Sequence, residues 1–458
     1  MTYRFAVLGI AMVGSLVGQS LPRPPSVSIV DLNPAPGYFN EPSIAINPRQ
    51  PNQVAAAYQV DATVTISDDA GRHWSRAIPA LREYKRSGDV SITYDARGHA
   101  ILCFIAFDKL GTPEYWAHNA TRNGIFVRRS LDGGRTWEAR SVPVLANGNL
   151  PGNVFEDKPY IVADSSGGRF NGNLYIGWTH FTLDQSVMYF SRSTDGGATW
   201  TKPLTLSEHP GLPRDDNGCL EGFSGTVGAD GVVHVVWSDG SHIYYTSSRD
   251  GGRRFARPRA VMHTAPSYFN VNKVSRSNGF PQIAAGPVSG SSALASHPLY
   301  LAWSDYRNGD VDVFCSTSYD NGRTWGHPVR VNTDALHDGS DQFFQWLTVD
   351  AHDGAMYLLF YDRRDDPANG NAMLTLARST DHGHSFRNYQ WNEKPFDPEG
   401  AFLGDYTGLA AYNGRVYGIW AEQRSRSSKA GHRTVVRVGM ADFASSARSG
   451  SAQPGSAK

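Results

Sequence analysis

Cysteine is scarce: Cys103, Cys219 and Cys315 are the three in 458 residues. At most one disulfide can form, so no disulfide framework holds this fold together. No C-x-x-C or H-x-x-x-H spacing occurs, which speaks against a structural zinc site and leaves no metal assigned. A charge surplus is missing as well, since 43 Lys+Arg balance 43 Asp+Glu. Nucleic acid is therefore not an expected partner, because phosphate contacts need a basic excess. After the N-terminus there is no second long apolar run, so no membrane span is expected in the mature protein. No cofactor is expected, and a monomer is the default.

What is present is a folding composition. Hydrophobic residues make up 40% and aromatics 12%, too many for a disordered chain. With 47 Gly and 26 Pro, tight turns are numerous. Arg4 followed by the apolar run Phe5 to Gly18, with small residues Gly18 and Ser20, reads as a signal peptide over residues 1–20. A secreted or periplasmic protein is expected. Residues 21–443 are expected to form a single domain, and 444–458, rich in Ser, Ala and Gly, a disordered tail.

One octet organises the chain. It runs Ser67-Asp68-Asp69-Ala70-Gly71-Arg72-His73-Trp74, and it recurs at Ser130–Trp137, Ser193–Trp200, Ser248–Phe255, Ser318–Trp325 and Ser379–Phe386. Its third-position aspartates are Asp69, Asp132, Asp195, Asp250, Asp320 and Asp381, spaced 55 to 70 residues apart. A period of that size indicates a propeller or solenoid. The Asp can accept backbone N–H groups of its own turn, the fifth-position Gly tolerates positive φ, and the closing aromatic can wedge between sheets. The octet is thus read as a structural fastener.

Each octet sits in a longer unit of short strands separated by turns such as Asp95-Ala96-Arg97-Gly98 and Ala229-Asp230-Gly231. Four strands per unit make a propeller blade. Units open near Pro42, Asp89, Asp157, Glu221, Phe280, Phe343 and Asp405. The fold class predicted is therefore all-β, a propeller of seven four-stranded blades, with six blades and an irregular extra sheet as the alternative. The seventh unit lacks an octet, and the segment Ser26–Val30 is expected to supply its outer strand and close the ring.

The six octets resemble the Asp-box, or BNR, repeats of the sialidase (neuraminidase) superfamily, and the resemblance covers nearly all of the mature chain. It implies a glycan-acting protein with a Tyr nucleophile, an activating Glu, an Asp acid and an arginine triad. Tyr406, Glu221 and Asp61 occupy the first three places. The Arg-Ile-Pro place reads Asn40-Glu41-Pro42, and a second arginine place reads Trp237-Ser238-Asp239, so the triad is broken twice.

Loops opposite the octets share one face, and function is expected there. Acids recur at unit openings (Glu41, Asp89, Asp157, Glu221, Asp405) and after second strands (Asp108, Asp239, Asp305, Asp362, Glu422). They could ring a cation or cap strand ends and pair between blades. Arg307, Arg364 and Arg424 repeat at one register in the last three units. They could clamp an anionic sugar, or each could pair with the acid two residues before it. Three long segments carry further candidates: Asp108 to Gly124 with Trp116, Leu204 to Gly222 with Asp215, and Arg387 to Asp405 with Trp391. Trp116 and Trp391 are the expected sugar-stacking faces.

Three functions remain open on these residues. The first is a sialidase-like glycoside hydrolase acting on acidic sugars. The second is a non-catalytic propeller binding carbohydrate or protein. The third is a uronate lyase with Tyr406 or His180 as base.

Overall fold

The computed structural model describes residues 20–33, 35–77, 84–112, 115–148, 152–266, 268–287, 297–425 and 433–444. The expected leader lies outside them except Ser20, and so does the expected tail except Ala444. Seven four-stranded antiparallel sheets form seven blades. Six are simple meanders, with innermost strands Asn40–Ile46, Arg86–Tyr94, Val154–Ala163, Glu221–Val227, Gln282–Ala285 and Gln342–Val349. The seventh runs from Gly408–Tyr412 through Arg415–Ser425 and Arg433–Asp442 to Ser28–Asp31, which comes from the other end of the chain. Ser28 faces Met440 and Asp31 faces Arg437 in that pairing. The expected seven-blade ring, closed by the N-terminal strand, is what the chain forms.

Each second strand is buried on both faces, because a neighbouring blade lies on either side. Val233–Ser238 is buried at every position, and such strands therefore read as continuous apolar runs. An aromatic recurs near their ends: Tyr58, Phe104, Trp178, Trp237, Trp303, Phe360 and Trp420, all buried. Inner strands also fasten blade to blade through serine. Ser43, Ser91 and Ser224 each accept a hydrogen bond from the next blade's backbone, at Ile92, Ile161 and Ile283, over 3.1–3.2 Å.

The octets fold as fasteners. Ser193 donates to Asp195 at 2.7 Å and accepts from Gly197 N at 2.8 Å, while Asp195 accepts Thr199 N at 3.0 Å. Ser67, Ser130, Ser248, Ser318 and Ser379 repeat the same pattern. The closing Trp74 and Trp137 donate their indole N–H back to the turn's own glycine carbonyl.

The mouth is shaped by bulges at the start of the inner strands. Pairing slips between Asn40 and Ser43, Gly88 and Ser91, and Asp157 and Tyr160. Inside each slip one residue takes the left-handed conformation: Glu41 (φ 48°), Asp89 (φ 44°) and Lys158 (φ 48°). A bulge re-aims the side chain it carries. Holding a non-glycine residue there costs about 1–3 kcal/mol, and such strain gathers at functional sites.

Candidate active site

Glu41, Asp89 and Lys158 occupy the same register on three adjacent blades, and all three are buried at the mouth. Lys158 is the hub. Its Nζ lies 3.1 Å from Asp405, 3.4 Å from Glu221, 3.5 Å from Asp157 and 3.8 Å from Asp215. Burial works against its charge, but those four carboxyls outweigh burial and hold it protonated. Arg276, on the segment between blades four and five, is the second cation. It binds Asp405 in a two-pronged pair, with Nε at 2.8 Å, and reaches Asp215 at 2.5 Å through Nη1. The Tyr268 hydroxyl lies between Asp215, at 2.5 Å, and Glu221. Trp116 donates its indole N–H to Asp215 at 3.0 Å.

The carboxyls are not equivalent. Burial, with Asp405 nearby, pushes the Glu41 carboxyl up to about 7, against the pull of Lys158 and Arg276. Burial, with Glu41 and Asp157 beside it, raises Asp89 well above the carboxylate range. Burial and Asp215 do the same to Glu221. Asp215 moves the other way: burial opposes its ionisation, but Lys158 and Arg276 prevail and hold it below the usual range. Protonated and ionised carboxyls therefore coexist in one site at neutral pH.

Gln59 sets the orientation of Glu41. Its amide donates to Glu41 Oε2 at 2.7 Å and to Asn40 at 2.9 Å, and its carbonyl accepts Asp89 N at 3.1 Å. Gly88 leaves room for it, since a Cβ there would lie 1.7 Å from Gln59 Oε1. Glu41, Asp89, Asp157, Asp215, Lys158 and Arg276 line a cleft of about 370 Å³, with Phe107, Trp116, Phe155 and Phe402 as its apolar walls. Beneath it a cavity of about 50 Å³ follows the propeller axis between Tyr160, Phe280, Phe344, Trp346 and Tyr406.

Several sequence expectations need correction. Glu221 is at the mouth, but its tyrosine is Tyr268, not Tyr406. Tyr406 sits over the axial cavity, tilted against Trp346, and its hydroxyl donates to Val90 O at 3.4 Å. The expected nucleophile and activator are therefore not hydrogen-bonded to each other. Asp61 is exposed on the hairpin after Val54–Gln59. Among the described residues it makes no hydrogen bond or ion pair to the cluster; Gln59, two residues earlier, does.

The arginine clamp does not form either. Arg307 holds Asp305 through Nε at 2.8 Å, Arg364 holds Asp362 at 2.7 Å, and Arg424 pairs with Glu422 at 3.4 Å and Asp31 at 3.2 Å. An acid two residues away is nearer than any cleft ligand could be. Trp391 is fully buried between blades six and seven, against Trp420 at 6.3 Å between ring centroids. The chain from Arg387 to Gln390 is an outer strand, not a loop, and Trp391 continues it inward with its N–H on Leu374 O. His180 bonds Glu156 at 2.8 Å and stacks on Tyr189, outside the cleft. Trp116, by contrast, lines the cleft. The opening acids do surround a cation, and it is the chain's own Lys158. All three cysteines are free and buried.

Lys158, Tyr268, Arg276 and Gln59 were not singled out as site residues by sequence, and Asp215 was marked only as part of a long loop. Lys158 had a signal, being the one base at a register that holds acids on the two blades before it. Arg276 and Tyr268 lie on an irregular segment with no repeat to mark them.

No family model matches the chain. Over 134 residues, 27% of its length, it is 35% identical to a sialidase of Micromonospora viridifaciens, of which that stretch covers 18%. Over 145 residues, 29% of its length, it is 30% identical to a xyloglucanase of a Paenibacillus species, covering 13% of that protein. The chain thus matches less than a fifth of either curated relative. Among solved structures, an ulvan lyase superposes with a TM-score of 0.53 at 13% identity, over 89% of this chain and 95% of that one. At that identity the likeness is one of fold. The resemblance read from the octets therefore holds: the chain is a seven-bladed β-propeller similar to those of the sialidase superfamily, with a sialidase-like sequence over about a quarter of its length.

Proposed function

We propose that this propeller is a glycan-cleaving enzyme whose active site is the Lys158 cleft. One observation carries the reading. Carboxyls shifted in opposite directions, Glu41 up and Asp215 down, line a single cleft beside aromatic walls. Acid–base cleavage of a glycosidic bond needs that division of labour. Glu41 gives its proton to the leaving glycosidic oxygen, and its pKa near 7 suits that task at neutral pH. Asp215, ionised, faces the positive charge that develops at the sugar ring; water then adds to that carbon and returns a proton to Glu41. Trp116 offers an aromatic face for stacking, and its indole N–H fixes Asp215. Tyr268, Lys158 and Arg276 are positioning groups, because their bonds are spent on the carboxyls. Glu221 is held between Tyr268 and Lys158 in the same role.

Two further observations agree. Glu41, Asp89 and Lys158, the left-handed residues of their bulges, are carried to the cleft. The three relatives reported above carry the names of glycan-cleaving enzymes. The apolar run Phe5 to Gly18 fits export to where such substrates occur, and no helix among the described residues is long and apolar enough to cross a membrane.

The test is release of reducing ends from a panel of neutral, amino and acidic polysaccharides by purified protein, beside Glu41→Gln. Release that falls at least a hundredfold in the variant, with folding intact by circular dichroism, supports the assignment. Release unchanged in Glu41→Gln removes it.

A further inference from the structure

The chemistry of the cleft also bears on the charge of its ligand, on the reading that this cleft is a glycan site. Four carboxyls line it, Glu41, Asp89, Asp157 and Asp215, and Glu221 and Asp405 join them through Lys158. Two bases meet them, Lys158 and Arg276. Neither base is free. Lys158 has three protons and four carboxyls within 3.8 Å. Arg276 spends Nε and both terminal nitrogens on Asp405 and Asp215 and lies over the Phe402 ring at 5.3 Å. Arg307, Arg364 and Arg424 are held by their own acids. A sugar carboxylate or sulfate entering the cleft would meet acids and no unpaired cation among the described residues.

The opposite charge is accommodated. Glu41, Asp89 and Asp157 come from three adjacent blades and line the cleft together, and burial among acids raises Glu41 and Asp89. Lys158 reaches this trio at Asp157, over 3.5 Å, while the hydrogen bond to Glu41 comes from the neutral Gln59 amide. Phe107, Phe155 and Trp116 line the same cleft and supply the apolar faces a pyranose ring needs.

We infer that the cleft selects a glycan bearing free amino groups, with the sugar ammonium seated on Glu41, Asp89 and Asp157. An ammonium offers three donors to that trio and brings the charge it lacks. Binding would then expel protons from the carboxyls it pairs with. The selectivity is the reverse of a site built to clamp an acidic sugar.

Isothermal titration tests this with three tetrasaccharides: fully deacetylated chito-oligosaccharide, its N-acetylated counterpart and oligogalacturonate. The deacetylated chain is expected to bind at least tenfold tighter than the acetylated one, and the uronate not at all. Its binding heat should vary with buffer ionisation enthalpy in the sense of proton release. Asp89→Asn should cost at least tenfold in affinity. Glu208→Gln, which removes an exposed carboxylate paired with Arg257 elsewhere, should cost nothing and so exclude diffuse attraction. Equal binding of the acetylated and deacetylated chains overturns the inference, as do uronate binding and no binding of the amino sugar. Cleavage is read separately. Amino-sugar binding without cleavage would keep this inference and remove the catalytic reading. Cleavage of neutral chains with no preference for amines would do the reverse.

Discussion

The two faces of this propeller use the same residue type to opposite ends. On the octet face, each aspartate is satisfied inside its own turn. Hydrogen bonds from the backbone and side chain of His73 hold Asp69 well below the carboxylate range. Partial burial opposes ionisation of Asp132, but bonds from Thr136 and Ser130 outweigh it and leave it at about 2. Those carboxylates are charged and do not depend on one another. At the mouth, acids at comparable blade positions are buried together and share two cations, so Glu41, Asp89 and Glu221 are pushed up instead. Repetition around a ring gives a fastener where each copy looks outward, and a coupled cluster where the copies point at the axis. The difference lies in convergence, not in sequence.

The largest test of that contrast is to remove the shared cation. Lys158→Met leaves Asp157, Asp215, Glu221 and Asp405 around an apolar side chain. Breaking a buried pair on one side costs about 3–5 kcal/mol, so a marked fall in melting temperature is expected at pH 7.5. The fall should shrink towards pH 5. Without the ammonium the buried carboxyls take pKa values above their unfolded ones, and the folded state then binds more protons than the unfolded. Stability therefore drops as pH rises. A loss that is the same at both pH values would mean the cluster is not electrostatically coupled.

Glu41→Gln comes next and should separate activity from stability. General acid catalysis contributes on the order of a hundredfold to ten-thousandfold, and the wild-type rate should fall on the alkaline side of about pH 7, where Glu41 gives up its proton. The same raised pKa costs wild-type stability. Below about 4.5 the carboxyl is protonated in both states and there is no penalty; the penalty grows as pH rises and is complete above about 7. It is on the order of 3 kcal/mol. The variant should accordingly gain on wild type across that window in urea titrations, while losing the alkaline limb of the rate profile. An inactive variant that is also less stable at pH 8 would place Glu41 among the structural acids.

How much of this was legible in sequence follows from the same distinction. The blades were, because an octet such as Ser193–Trp200 makes its bonds within eight residues, and alternating strands announce themselves locally. Even the ring closure by Ser28–Asp31 followed from a missing outer strand. The site was only half legible. Glu41, Asp89, Asp157, Glu221 and Asp405 could be found as acids recurring at unit openings. That Lys158 sits among them depends on bulges that turn three side chains to the axis. Arg276 and Tyr268 come from a segment without strands, and they reach Asp215 across 61 and 53 residues of chain. The arginines of blades five to seven misled for a local reason. An arginine two residues after an Asp at a strand end closes on that Asp, as Arg307 does on Asp305, before any ligand can compete.

A single octet gives a smaller and purely structural effect. Ser193→Ala removes the hydroxyl that donates to Asp195 and accepts from Gly197 N, a buried donor left without a partner. The expected cost is about 1–3 kcal/mol, measured by chemical denaturation, with turnover unchanged. Turnover that fell with stability would show that the two faces are coupled through the blade.

Arg424→Ala should do least, and it decides most sharply whether the repeated arginines are structural. Arg424 is about one-third exposed and pairs with Asp31 and Glu422. Both acids keep a second partner when it goes, because Arg437 lies 2.9 Å from Asp31 and 3.0 Å from Glu422. Arg437 is itself more deeply placed and lies over the Trp420 ring, so it needs no rearrangement to carry both acids. An exposed pair with such a substitute is worth at most about 0.5 kcal/mol. The expected result is a melting temperature within error of wild type and unchanged ligand affinity. If Arg424 instead held an anionic group, its removal would strip a charge-assisted bond from the ligand and weaken binding of acidic sugars by tenfold or more. That outcome would move the functional centre from the Lys158 cleft to the rim of blade seven, and the acid-rich mouth would then be the fastener.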